Sequence, residues 1–265
     1  MTVRRLLEIL ALVVATLFPT YGAAANTFGT DFSDLWWNPL ESGWGANLVH
    51  QGDTVFMTLY VYGPDSKPKW YVASYMPTRG GETSHAFDGT LYEATGTYLG
   101  APIFDSGSVT MQIVGTASLE FSTISVGTLT YNVGGVSVTK RIERQTFRNN
   151  NLSGSYFGAQ VGTKTSCGTS SGTSENTALY SIVHNGSEIS ITAVLSDNLY
   201  CTYSGTYVQQ GRMGQIEGGF SCTNGSKGGY FAAGIEASDK GFLGRFFADF
   251  GGGCVELALI GGVKR

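Results

Sequence analysis

The sequence predicts an all-β protein built as two consecutive antiparallel up-and-down barrels of about eight strands each, behind an export leader. Three observations lead there. Apolar and polar residues alternate through most of the chain in runs of five to ten, the period of a half-buried strand. Turn signals rich in Gly, Asn and Asp separate the runs, and the connections are short enough to pair each strand with the next. Glycine, at 38 of 265 residues, is about twice its usual share while charged residues are only 14%, a balance that suits tight turns between aromatic-rich strands.

The chain opens with Arg4 and Arg5, an apolar run from Leu6 to Phe18, and the small residues Ala23-Ala24-Ala25. That order predicts a signal peptide, residues 1–25, cleaved after Ala25. The run is too short to span a bilayer comfortably, so a soluble secreted or periplasmic chain with no membrane span is expected. Cleavage removes Arg4, Arg5 and Glu8, leaving 14 basic and 19 acidic side chains and a formal charge of −5. An acidic chain without clustered Lys and Arg is poorly suited to nucleic acid. The run Lys140, Arg141, Arg144 and Arg148 alternates as a solvated strand face would.

After a polar lead-in over 26–35, strands are expected at 43–50, 54–62, 68–76, 85–93, 108–115, 117–123, 126–133 and 136–147. Asn149-Asn150-Asn151 then breaks the pattern. The domains are therefore set at 26–148, rich in Trp, and 149–265, which holds all four cysteines. In the second, Leu152 to Gly158 opens a strand and 162–176 reads as a polar loop. Strands follow at 177–184, 187–195, 198–208, 211–222, 227–237, 240–249 and 253–263. Phe87-Asp88-Gly89-Thr90 echoes Tyr203-Ser204-Gly205-Thr206, and Gly135 to Arg141 echoes Gly261 to Arg265, as a diverged duplication would. Closing eight strands removes the exposed edges that such chains would offer to aggregation.

Four cysteines in an exported chain predict two disulfides. They admit three pairings. Closure of an eight-strand meander brings the loop after its first strand beside the start of its last, which favours Cys167 with Cys254 and leaves Cys201 with Cys222. The second pair is offset about a turn at 209–211, so a bulge or a strand end is expected there. A zinc site is disfavoured, since no C-x-x-C spacing occurs and His50, His85 and His184 are far apart. No metal, no cofactor and no catalytic residue is assigned.

Trp36-Trp37-Asn38-Pro39, Glu41-Ser42-Gly43-Trp44-Gly45, Gln51-Gly52-Asp53 and Pro68-Lys69-Trp70-Tyr71 together resemble a module of exported bacterial proteins over residues 35–147. The resemblance implies export and carries no activity with it. More loosely, Leu152 to Tyr156 is similar to the opening strand of avidin and lipocalin barrels, which implies the barrel and no particular ligand.

Three of the four tryptophans stand in ten residues. Trp36, Trp37, Trp44, Trp70, Tyr60, Tyr62 and Tyr71 are thus candidates to line the mouth of the first barrel and stack on a sugar or a small apolar ligand, with Asn38 and Glu41 orienting it. The competing reading makes these rings plug and core. On the second strand Phe56, Tyr60 and Tyr62 point one way and Val55, Met57 and Leu59 the other, leaving both faces apolar. Glu41 is the natural acid or base, but glycoside hydrolysis needs two carboxyls at a set separation, and Asp53 and Asp65 fall in turns. The main expectation is an exported, non-enzymatic binding protein. The alternative is a cell-surface or extracellular interaction module or inhibitor without a small ligand, which would use loops such as 78–84 and 162–176.

Overall fold

A computed structural model describes residues 30–81, 84–196 and 198–265; the leader assigned to residues 1–25 lies outside them. The first eight strands are β1 Asp34–Trp37, β2 Gly45–Gln51, β3 Thr54–Tyr62, β4 Pro68–Pro77, β5 Ala86–Thr95, β6 Thr110–Thr123, β7 Val126–Val133 and β8 Val136–Arg144. They form one closed antiparallel barrel in sequence order, sealed by β1 against β8. The second eight are β9 Gly154–Thr165, β10 Gly172–Asn185, β11 Glu188–Leu195, β12 Tyr200–Gln210, β13 Met213–Cys222, β14 Lys227–Ala237, β15 Gly241–Gly251 and β16 Cys254–Lys264. They close in the same way, β16 pairing with β9.

Three strand assignments change. Asp34–Trp37 belongs to the sheet and not to a lead-in, because Leu35 and Trp36 pair with Asn47 and Ala46. The runs expected at 108–115 and 117–123 are one fourteen-residue strand, β6, bent by a bulge opposite Leu91 and Tyr92. Most of the loop expected at 162–176 is paired strand, Lys164 against Gly172 and Gln160 against Asn176, leaving only a short turn at 166–171. The echo of Phe87 in Tyr203 joins the fifth strand of one barrel to the fourth of the other, whereas that of Gly135 in Gly261 joins the two eighth strands.

Inside the first barrel, alternation delivers Leu48, Met57, Leu59, Met76, Leu91, Leu119, Leu129 and Ile142 to a fully buried core. Each such side chain contributes about 1.5–3 kcal/mol by leaving water. The β7–β8 hairpin turns on Gly134 and Gly135, both at positive φ (58° and 83°), the geometry a two-residue turn between right-twisted strands requires.

Each barrel is plugged at one end by the same device. In the first, the Phe32 amide donates to His50 Nδ1, the His50 amide to Ser33 Oγ, and the Trp36 indole N–H to the Phe32 carbonyl at 2.9 Å. In the second, the Leu152 amide donates to His184 Nδ1, the His184 amide to Ser153 Oγ, and the Tyr156 hydroxyl to the Leu152 carbonyl at 2.8 Å. The Ser33 and Ser153 amides close Asx turns on Asp31 and Asn151. The repeat expected from faint sequence echoes thus appears most clearly at residues those echoes do not include.

The plugged ends meet. Arg144, its side chain wholly buried, donates to the Ile124 carbonyl (2.8 Å), the Ser33 carbonyl (3.1 Å), Asp34 Oδ2 (3.0 Å) and the Asp31 carbonyl. From the β12–β13 turn, the Arg212 amide reaches Asp34 Oδ2 at 2.9 Å and its guanidinium pairs with Asp31. The Gly211 amide donates to Thr146 Oγ1 at 2.8 Å.

Both disulfides form as expected, Cys167 with Cys254 and Cys201 with Cys222. No bulge is needed for the second. The turn falls at Gly211-Arg212, so Gln210 faces Met213 and Cys201 faces Cys222 in unbroken register. All four cysteines lie at the end of the second barrel opposite its plug. Among the described residues, no helix is long and apolar enough to cross a membrane.

Candidate functional sites on and inside the barrels

The alternation of strands scatters the nine aromatic and polar residues proposed for the mouth of the first barrel. Trp36 and Tyr71 face inward and are core: Trp36 is 1% exposed and packs at a tilt against Phe32 and Phe121. Neither has a face to offer a ligand, because the other inward-facing side chains fill the interior around them. Asn38, Glu41 and Trp44 form the open rim. The Asn38 carbonyl accepts the Glu41 amide and its side chain the Leu40 amide, a tight turn that starts the β1–β2 loop. Trp37, Tyr60, Tyr62 and Trp70 stand on the outer wall.

Glu41 Oε1 accepts from Lys140 Nζ at 2.8 Å and Oε2 from the Trp44 indole N–H at 3.1 Å. The Lys140 hydrogen bond, joined by that of Trp44, holds the Glu41 carboxyl below its usual range despite some desolvation. A group held ionised in this way is a poor proton donor. It serves to fix the rim; Lys69 and Glu93 make a separate inward-facing ion pair at 2.5 Å.

On the outer wall the pairing register puts Tyr60 beside both Gly45 and Trp70. Trp37 follows Trp36, which pairs with Ala46, so it flanks Gly45 on the other side. The outcome is a row of rings, Trp37, Tyr60 and Trp70, with a glycine notch in its middle. A side chain at Gly45 would meet the Trp36 carbonyl at 2.9 Å, so the notch also lets β1 approach β2. Tyr60, Tyr62 and Trp70 are each about half exposed. A bulge that sets Ser74 and Tyr75 opposite Phe56 turns Tyr75 outward as well.

Beside Tyr75 lies an open groove of about 590 Å3 on the outer face. Its walls carry Asp88 and Thr90 of β5, Thr116 and Ser118 of β6, and Asn132 of β7, the residues that alternate with core Phe87, Leu91, Ala117 and Leu119. It begins at a sparsely paired seam, where β4 and β5 share one paired position, Val72 with Tyr92, and an isolated bridge from Thr78 to Phe87.

The loops of the open end carry the most exposed apolar side chains. Leu40 in the β1–β2 loop is 92% exposed; Tyr98, Leu99 and Ile103 in the β5–β6 loop are 80%, 86% and 81% exposed. No charged residue occurs from Ala94 to Phe104. Val136, in the β7–β8 hairpin between these two loops in ring order, is also exposed. Sequence alone does not single out this loop, because a short apolar stretch there resembles core.

The second barrel encloses a pocket at its disulfide-bearing end, about 150 Å3 in volume and lined by Gln160, Lys164, Asn176, Tyr203, Phe250 and Glu256 among others. Its only signal in the sequence is a lone carboxylate in the apolar run Val255-Glu256-Leu257-Ala258, too weak to mark a site. Among the described residues, no group of three or more His, Cys, Asp and Glu side chains is placed to hold a metal ion.

No protein-family model matches this chain, and no curated protein matches it. Among solved structures, it is similar to the isotype 1 transferrin binding protein B from serogroup B Neisseria meningitidis, at 12% identity and a TM-score of 0.29, over 88% of this chain and 69% of that one. A score that low bears on neither fold nor function.

Proposed function

We propose that the protein is an exported, non-catalytic binding protein whose first barrel docks a partner protein on the loops of its open end. The observation that carries this reading is the apolar rim of Leu40, Tyr98, Leu99 and Ile103, each at least four-fifths exposed. Large apolar side chains this exposed mark interaction sites, and buried aromatic and aliphatic anchors dominate interface energies. Two disulfides suit an oxidising compartment outside the cytosol. To test the reading, a photo-crosslinking side chain is placed at Leu99 and activated in the envelope fraction of the source cells. One stoichiometric adduct is expected, and Ile103→Asp with Tyr98→Asp is expected to abolish it. Absence of any adduct, or one indifferent to both substitutions, rules the reading out.

The outer wall favours a second reading, a carbohydrate polymer lying across the first barrel. Neighbouring strands are about 4.8 Å apart, so Trp37 and Tyr60, two strands apart, are spaced at about twice that, with the Gly45 notch between them. Elsewhere on the same outer face, the groove beside Tyr75 supplies hydroxyls, an amide and the Asp88 carboxyl, the groups that orient a sugar. Titration with soluble oligosaccharides is expected to quench Trp fluorescence in the wild type and less so in Trp70→Ala. No quenching by any of them removes this option.

A further inference from the structure

The second barrel's pocket contains a buried carboxyl that the described side chains satisfy only in part. Glu256 is 2% exposed, and among the described residues its side chain accepts one hydrogen bond, from Gln160 Nε2 at 3.0 Å. A carboxylate offers about four acceptor positions, and burying one without a cation is costly. Among the described residues no Lys or Arg nitrogen comes within ion-pair distance of it. Its register neighbour Lys164 lines the same pocket, with its ammonium 5.4 Å from the centroid of the Phe250 ring.

Directly below, a smaller cavity of about 30 Å3 shares Gln160, Tyr203 and Phe246 with the pocket. Into it faces Tyr230, whose hydroxyl is buried without a hydrogen-bond partner. Tyr203 stacks on Phe220 and meets Tyr230 and Phe246 edge-on. Burial holds the Tyr203 phenol far above its usual range, with the negative charge of Glu256 adding to the effect. The pocket thus brings together an under-partnered carboxyl and a wall of aromatic rings, with the unpartnered Tyr230 phenol in the smaller cavity.

An organic cation with N–H donors answers both features of the pocket. It neutralises the carboxyl, donates to oxygen acceptors, and is attracted to the negative faces of the rings. A metal ion would lack ligands, and a neutral alcohol would leave the carboxyl uncompensated. An engineered apolar cavity of about 150 Å3 accepts benzene, which limits the guest to roughly six to eight non-hydrogen atoms. We infer that the second barrel is a receptor for a small primary ammonium compound, its nitrogen seated at Glu256 and its carbon chain against Tyr203, Phe220 and Phe246. The Cys201–Cys222 bridge, in the pocket wall, holds the entrance in shape.

The test is calorimetric titration of the oxidised full chain with n-butylammonium chloride, with n-butanol and sodium butyrate as matched probes. One saturable site for the amine is expected, with at least tenfold weaker binding of the alcohol and the acid. Glu256→Gln is expected to weaken amine binding at least tenfold. If that variant fails to fold, Ala248→Val, which narrows the pocket beside Glu256 without touching the carboxyl, is expected to do the same. All four tryptophans belong to the first barrel. Amine binding should therefore change the tyrosine near-UV dichroism and leave Trp fluorescence unmoved. No saturable binding, equal binding of butanol, binding unchanged in the folded variants, or a response confined to tryptophan each overturns the inference.

Discussion

Replacing Arg144 by methionine removes a buried guanidinium while keeping much of the side-chain length, and its cost follows from the hydrogen bonds that guanidinium makes. Its N–H groups serve the carbonyls of Ile124, Ser33 and Asp31 and the Asp34 carboxylate, with the cation 4.9 Å above the Trp36 ring. Burial pulls the guanidinium below its ordinary pKa, while the hydrogen bond and charge of Asp34 oppose that shift. Breaking a buried pair by removing one partner costs about 3–5 kcal/mol. The orphaned carbonyls add to this, but they share the site with Asp34, so their costs do not sum. Asp34 also keeps the Arg212 amide. An overall loss of about 4 kcal/mol is expected, and with a urea slope of about 2 kcal/mol per molar the midpoint falls by about 2 M. Trp fluorescence is the proper assay, because every tryptophan sits in the first barrel and the second remains silent. In the double variant with Asp34→Asn, the loss should be smaller than the sum of the two single losses. A midpoint shift under about 0.5 M, or strict additivity, refutes the reasoning.

Reduction should act on the other barrel. Chain-entropy arguments give about 3 kcal/mol for the 21-residue separation of Cys201 and Cys222, and about 4.5 kcal/mol for the 87-residue separation of Cys167 and Cys254. Dithiothreitol is thus expected to lower the tyrosine-monitored unfolding midpoint and leave the Trp-monitored one in place. Because Lys140 and Trp44 hold the Glu41 carboxyl below its usual range, their bonds persist above that range and are lost as the pH falls through the depressed value. Trp fluorescence should show an acid step there that Glu41→Gln lacks. In Gly158→Ala the added methyl would stand 1.8 Å from the Gly261 carbonyl oxygen, on a rigid strand. A loss of about 2–3 kcal/mol is expected from overpacking, read from the tyrosine-monitored transition, with a wild-type midpoint as the disproof.

The sequence by itself determined the two closed barrels and favoured one of three cysteine pairings, which the folded chain decides. Period-two alternation and glycine turns are local signals, and closure follows once each strand pairs with its successor. It misled at 162–176 for a physical reason. There the inward face of β9 and β10 carries Gly162, Lys164, Ser174 and Asn176, which surround the pocket mouth, so the alternation is polar against polar and gives no apolar rhythm. Asp34–Trp37 escaped because four residues are too few to show a period. The fate of each aromatic ring was likewise a tertiary matter. Tyr60 and Tyr71 look alike in sequence, yet one lies on the outer wall and the other in the core, set by register and by the bulge in β4. His50 and His184 read as isolated singletons; only the folded chain shows them accepting the same plug amide in each barrel. Glu256 was decided the same way. Local hydrophobicity would turn Val255 and Leu257 inward, but the pairing of β16 with β9 leaves Leu257 in water and carries the carboxyl into the core. A chain encodes its strands through neighbours a few residues apart, whereas which face meets which cavity depends on partners far away along it.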